Sequence, residues 1–271
     1  MKRQAKQHIM NATREAIDPR LSGIEAQTAE LQREVLDLAA ELKAMRRRVE
    51  SHLPRPDGRP EHLARYNLAD VLAWRAAQTS AEFIEEHMSD AVAMPSRADH
   101  LRHAVGHAPG TGVILECGVG SGESLTWLED LTGSRRVVGF DSFEGLPEDW
   151  RPGFDAGAFA QRERGRFRRA ELCVGLFEDT LPAFIAALDE PIALLHVDCD
   201  LYSSTRTVLS HCMPRLAPNA VVVFDEFFNY PGWQQHEAKA WFDWLDDTAT
   251  DVTYLSFVPS WEQVAVVVRG A

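Results

Sequence analysis

Between Ile17 and Val49 the apolar positions recur in alternating steps of four and three: Ile17, Leu21, Ile24, Leu31, Val35, Leu38, Leu42, Met45 and Val49, with only Thr28 polar on the stripe. A seam repeating every 3.5 residues, with charged residues on the other faces, predicts a coiled coil. Asp18-Pro19 offers a cap and a first helical residue. Thr28, Val35 and Val49 fall at a, with Leu31 and Leu38 at d. β-Branched a with leucine d favours a parallel two-stranded coil. Residues 1–50 are therefore expected to be a coiled-coil helix that joins copies of the chain into a homo-oligomer. A helix packed on its own domain would carry the same stripe.

Residues 51–60, SHLPRPDGRP, hold three prolines and a glycine, which breaks the helix and predicts a linker. The pattern turns helical again over 61–107, with Leu63, Tyr66, Leu68, Val71, Leu72, Trp74, Phe83 and Ile84 as candidate core positions. From 108 to 271 short apolar runs alternate with helical stretches, the signature of a parallel sheet in a doubly wound α/β domain. Val113–Leu115 is closed by Glu116, Val137–Phe140 by Asp141, Ile192–Val197 by Asp198 and Ala220–Phe224 by Asp225. Leu172–Val174 adds a short strand. Val252–Phe257 and Val264–Val268 are expected as an antiparallel pair at the sheet edge. Ligands of open α/β sheets bind beyond the carboxyl ends of the strands, so the four closing acids are expected to share one crevice.

Bulk properties exclude more than they assign. Across 271 residues the net charge is −13, the wrong sign for neutralising phosphates, so no nucleic-acid partner is expected. No apolar run approaches a membrane span and no apolar core follows the basic N-terminus, so neither a membrane partner nor a secretory signal is expected. Cys117, Cys173, Cys199 and Cys212 lack metal-type spacing and are expected as reduced thiols in a cytoplasmic protein.

The turn after the first strand has glycine at 118, 120 and 122 and leads into Glu123-Ser124-Leu125, a helix start that would face a ligand. A dinucleotide fingerprint needs its third glycine at 123, where this chain has glutamate, so an NAD-type oxidoreductase is disfavoured. Asp141 lies 19 positions beyond Gly122, where an acid holds a ribose diol or caps the next turn. Ser142 follows it. Phe177 or Glu178 would border an adenine ring, though helix capping by Asp179 or Thr180 explains the same residues.

A second constellation joins His196-Val-Asp198-Cys-Asp200-Leu-Tyr202 to Asp225-Glu226. Carboxylates at the ends of neighbouring strands repel unless a cation lies between them, and hard oxygen ligands suit Mg²⁺ or Mn²⁺. Helix capping by Asp200 or Ser203 and surface solvation of Glu226 are the alternatives. Phe227, Phe228, Tyr230 and Trp233 either flank a sugar ring or pack in the core. Arg162, Arg164, Arg166, Arg168 and Arg169 lie in an insertion over 150–170 that either binds an anion or is an exposed loop.

The segments ECGVGSGES, VVGFDSFEGLPEDW, ELCVGLFEDTLP, HVDCDLYSSTRTVL and VVVFDEFFNYPGW resemble the macrocin and mycinamicin O-methyltransferases, from about residue 95 to the end. The resemblance implies a seven-stranded Rossmann-like class I fold that uses S-adenosylmethionine and a divalent metal to methylate a small-molecule hydroxyl, that of a sugar or glycosylated metabolite. It implies that Asp198, Asp225 and Glu226 hold the metal. It also implies that Glu116 and Gly118 lie under the methionine and that Asp141 holds the ribose. Gly120, Gly122, Ser124, Ser142, Phe177 and Glu178 complete the expected cofactor contacts. The chain departs from that family at Glu226, commonly aspartate there, and at Leu201, where catechol-type relatives carry a lysine base. Asp198 with His196 or His236 are the catalytic candidates, and Asp200 is a further possible base. Two other readings are a catechol or phenol O-methyltransferase and a catalytically silent cofactor-binding scaffold recruited through the coiled coil.

Overall fold

The computed structural model describes Val35 and residues 67–161 and 165–270. The chain divides into two units, 1–64 and 65–271. In the first only Val35 is described, helical and exposed. The coiled-coil and linker expectations, with Leu63 and Tyr66, lie outside the described residues.

The second unit begins with helix α1 (Leu68–His87), capped by Asn67 Oδ1, which accepts the Ala69 amide at 3.2 Å. A two-residue strand β1 (Val92–Ala93) leads into α2 (Arg97–His107). Ser96 caps α2 by accepting the Asp99 amide at 3.1 Å, which fixes Arg97 in the first turn. The alternation then runs β2 (Val113–Cys117), α3 (Glu123–Leu131), β3 (Val137–Asp141), β4 (Glu171–Val174), α4 (Phe177–Ala187), β5 (Ile192–Val197), α5 (Tyr202–Cys212), β6 (Leu216–Phe224), α6 (Glu237–Thr248), β7 (Asp251–Phe257) and β8 (Val264–Gly270).

The sheet order is β1-β7-β8-β6-β5-β2-β3-β4. Pairing from β4 to β6 is parallel, while β8 runs antiparallel to both β6 and β7. Every residue of β2 and β5 is buried, as expected for central parallel strands covered on both faces. Two apolar layers result. Leu115, Phe140, Leu195, Phe224 and Trp241 belong to one, and Ile114, Leu125, Leu194 and Val223 to the other. Truncating Phe140 or Phe224 to alanine would cost about 3–5 kcal/mol.

Three expectations need correction. The sheet has eight strands, because β1 adds itself in parallel to β7 across Val92↔Ser256 and Ala93↔Phe257. So short a strand carries no periodicity of its own. The late pair is antiparallel, but β8 lies inside the sheet, between β6 and β7. Finally, Leu68, Val71, Leu72 and Trp74 are exposed. α1 packs from Ala76 onward. Phe83 lies 5.7 Å from Phe227, 5.6 Å from Phe242 and 5.6 Å from Tyr254, ring centre to ring centre. Among the described residues no helix is long and apolar enough to cross a membrane, and all four cysteines are free.

Candidate active site

A cavity of about 440 Å³ opens at the carboxyl ends of β2, β3, β5 and β6. At one end it is lined by Gly118, Gly120, Ser124, Asp141, Ser142, Phe177 and Glu178; at the other by Arg97, Asp198, Asp200, Asp225 and Glu226.

The glycines of the β2–α3 turn serve different ends. A Cβ on Gly118 would lie 1.5 Å from the Asp198 carbonyl oxygen, so this glycine lets the β2 and β5 ends close on each other. Gly120 has nothing within 4 Å of its Cβ direction and faces open cavity, the cradle a ligand needs. Gly122 does not line the cavity; it is the left-handed N-cap of α3, with the Phe167 ring against it. Asp141 draws the turn together. Its Oδ2 accepts the Val119 and Gly120 amides at 2.8 and 2.7 Å, and its Oδ1 accepts the Phe143 amide at 2.7 Å. The acid thus caps its turn and still faces the cavity, since a carboxylate has about four acceptor sites.

The other end is crowded with carboxylates. Asp198, Asp225 and Glu226 each offer an oxygen within 4.8 Å of the others, and Glu116, His196 and Asp198 form a second such group. Burial, then the charge of Asp225, pushes the Asp198 and Glu226 carboxyls well above their ordinary range. Glu226 Oε2 is buried with no hydrogen-bond partner among the described residues. Asp225 is held well below its ordinary range, against the effect of burial, by His196 and Arg97. Arg97 Nη2 donates to Asp225 Oδ2 at 2.7 Å, and Gln263 Nε2 donates to the same oxygen at 3.2 Å. Such an oxygen-rich, under-compensated donor set fits a hard divalent cation.

Glu116 does not reach the cavity. It is in register with His196 across β2 and β5, so both side chains share a sheet face, and Glu116 Oε1 meets His196 Nδ1 at 2.8 Å. His196 Nε2 lies 3.5 Å from Asp225 Oδ1. Burial would lower the imidazole's pKa, but Asp225 and Glu116 together raise it to about 10. Fully buried and flanked by two acids, His196 has no face toward the cavity. His236 is no cavity residue either; it packs 6.1 Å from both the Trp150 and Tyr230 rings. Three of the four strand-closing acids therefore share the crevice: Asp141, Asp198 and Asp225.

Asp200 lines the cavity in a left-handed backbone conformation, φ 60°, and burial raises its carboxyl to about 7. It does not cap α5, whose N-cap is Leu201 and has no side-chain cap. Phe227, Phe228, Tyr230 and Trp233 are buried core residues. Arg162 and Arg164 lie outside the described residues. Arg168 and Arg169 pair with Asp130 and Glu129 of α3, which ties down the end of the insertion. Sequence reasoning missed Arg97, Gln263 and Glu237. An arginine in a helix preceding the sheet, a glutamine of the β8 approach and an acid opening a late helix carry no local signal of a site.

Residues 115–227 match the Methyltransferase domain family. The matched stretch spans the glycine turn, Asp141 and the carboxylate cluster that line the cavity. It is 31% identical over 159 residues, 48% of this chain and 60% of the relative, to 8-demethyl-8-(2,3-dimethoxy-alpha-L-rhamnosyl)-tetracenomycin-C 4'-O-methyltransferase of Streptomyces olivaceus. It is 29% identical over 189 residues, 55% of this chain and 73% of the relative, to mycinamicin III 3''-O-methyltransferase of Micromonospora griseorubida. The match to the first of these thus spans less than two thirds of that relative's length. A crystal structure of a calicheamicin methyltransferase shares the methyltransferase fold, with TM-score 0.53 and 23% identity over 81% of this chain and all of that one.

Proposed function

We propose that this chain methylates a hydroxyl of a small molecule, a sugar or glycosylated metabolite, with S-adenosylmethionine as donor and Mg²⁺ or Mn²⁺ held by Asp198, Asp225 and Glu226. One observation carries the reading: a single cavity joins the glycine turn and Asp141 to the carboxylate cluster. The rhamnosyl-bearing acceptor named for the Streptomyces olivaceus relative supports the choice of substrate class.

Methyl transfer from a sulfonium to a hydroxyl oxygen is an in-line displacement: the O–C bond forms as the C–S bond breaks, and the hydroxyl proton must leave. The chain's work is to align both reactants, exclude water and take that proton. Gly118, Gly120 and Ser124 would hold the methionine end of the donor, Asp141 and Ser142 the ribose, and Phe177 and Glu178 the adenine. A divalent ion, when bound, acts as a Lewis acid that stabilises the attacking oxygen. Asp200 is the proton acceptor. It lines the cavity two residues from Asp198, and burial raises its carboxyl's pKa, which favours proton uptake. His196 and His236, both off the cavity, are set aside for that task.

The test is incubation with S-adenosylmethionine, Mg²⁺ and parallel panels of sugar and phenol hydroxyls, following release of the demethylated cofactor. Turnover with sugar hydroxyls, lost in excess EDTA and restored by Mg²⁺ or Mn²⁺, is the expected result. Turnover confined to phenols would replace the acceptor class, and full activity in EDTA would remove the metal. We also propose, on the heptad stripe alone, that residues 17–49 join two copies of the chain. Deleting residues 1–55 should convert a dimer into a monomer by light scattering, and a dimer of the shortened chain would refute it.

A further inference from the structure

Glu237, the first residue of α6, is completely buried beside a cavity already rich in acids. A buried carboxylate is costly unless its oxygens are hydrogen-bonded, and another negative charge here adds repulsion. Burial and then Asp200 raise its carboxyl's pKa, and the Cys199 and Glu226 amides oppose that shift by favouring the carboxylate. Its contacts supply the compensation. Oε1 accepts the amides of Cys199 and Asp200, both at 3.2 Å, and Oε2 accepts the amide of Glu226 at 3.1 Å. Two of those amides belong to the turn after β5 and the third to the turn after β6. One side chain from a third element therefore bridges the two strand ends that carry Asp198, Asp200, Asp225 and Glu226.

The residue type matters. Three N–H groups arriving on both oxygens require an acceptor at each position, which only a carboxylate of this length provides. Glutamine would keep one acceptor and turn an NH₂ toward a donor. Alanine would release both turns.

We infer that Glu237 is a positioning residue that sets the spacing and backbone orientation of the two carboxylate-bearing turns, and through them the metal-holding geometry. The inference rests on the metal reading proposed above. It acts through the amides of Cys199, Asp200 and Glu226, none of which belongs to the glycine turn after β2, so its effect should fall mainly on the carboxylate end of the cavity.

The experiment compares full-length wild type with Glu237→Gln and with Glu237→Asp, which keeps both oxygens on a shorter stem. Three quantities are measured for each: Mn²⁺ affinity by electron paramagnetic resonance, affinity for the demethylated cofactor by calorimetry, and kcat with the KM for S-adenosylmethionine. Glu237→Gln should lose about 10–100-fold in Mn²⁺ affinity and in kcat, the range typical of partners that orient metal ligands. Its cofactor affinity and cofactor KM should stay within about twofold of wild type, since Glu237 accepts amides from the β5 and β6 turns and not from the glycine turn. Wild-type Mn²⁺ affinity and kcat in Glu237→Gln would overturn the inference. So would a parallel loss of cofactor affinity, which would mark general loosening of the fold. If Glu237→Gln fails to fold, Glu237→Asp carries the same expectations and the same refutations. If wild type itself binds no Mn²⁺, the metal reading fails by itself. Glu237 is then judged on kcat: a loss with unchanged cofactor KM retains the positioning role, and an unchanged kcat removes it.

Discussion

The β2–α3 end of the cavity and the β5–β6 end are built on different electrostatic plans. At the first, one carboxylate, Asp141, meets three backbone amides, so the turn is held in shape by the chain's own groups. At the second, Asp198 and Glu226 repel Asp225 and each other, and Glu226 Oε2 has no partner among the described residues. Two cationic side chains stand in contact with that cluster, Arg97 and His196, and both are engaged by Asp225. A site for a neutral sugar-like edge or an adenosine can be finished in advance by hydrogen bonds. A site for a cation must carry surplus negative charge, which no internal arrangement can fully compensate.

The sharpest way to break that contrast is to remove carboxylates from the second end only. Asp198→Ala and Asp225→Ala should each lower kcat by about 10³-fold, since Lewis-acid stabilisation is worth several kcal/mol. Calorimetry should show cofactor binding nearly unchanged in both. Glu226→Ala should be milder. A loss of cofactor affinity matching the loss of kcat would mean that the two ends are not separate.

Acid titration tests the floor beneath the second end. His100 lies there, its Nε2 3.2 Å from the Ser256 carbonyl oxygen, and burial lowers its pKa to about 4. The unfolded chain takes up that proton near 6.5 and the folded chain only near 4, so stability falls as pH drops between the two. The effect approaches about 3 kcal/mol at full extent. Asp198 and Glu226, with raised pKa values, act in the opposite sense and gain stability as pH falls. Urea melts of His100→Gln and wild type between pH 7 and 4 isolate the histidine. The variant should lose less stability on acidification, and parallel curves would refute this.

At the first end, Gly120→Val fills the open cradle without touching the carboxylates. It should weaken cofactor binding by at least about tenfold, roughly 1.4 kcal/mol, while Mn²⁺ affinity stays as in wild type. Equal binding by calorimetry would show that the cofactor lies elsewhere. The smallest effect is expected from Arg97→Ala, which leaves Gln263 as the remaining donor to Asp225 Oδ2. Removing a positive charge beside the proposed cation site should raise Mn²⁺ affinity by a few-fold, up to about tenfold, through the relieved Coulomb repulsion. Weaker Mn²⁺ binding would assign Arg97 to supporting the site instead.

How much of this was readable in the chain differs between the two ends. The glycine turn, Asp141 and the paired acids Asp198 and Asp225-Glu226 were legible because strand period, turn chemistry and strand-closing acids are local patterns. Three others lie off the cavity for nonlocal reasons. Glu116 closes an apolar run, yet β2 continues through Cys117, and the β2–β5 register turns its carboxylate onto His196. His196 reads as a base near a metal aspartate, but the same register buries it between two acids. His236 precedes a helix whose start carries Glu237 into the site and leaves the imidazole among Trp150 and Tyr230.

Local order was thus set by the sequence itself: which runs become strands, where the backbone must turn, and which acids end at the carboxyl edge of the sheet. Each depends on a side chain and its immediate neighbours along the chain. The tertiary structure alone decided which charges meet. Arg97 reaches Asp225 across 128 positions, and Glu237 reaches Cys199 across 38. It also inserted β8 between β6 and β7 and added β1 beyond them. Electrostatic compensation and strand pairing depend on separation in space, and no period or motif along the chain encodes the distance between groups brought together only when the sheet closes.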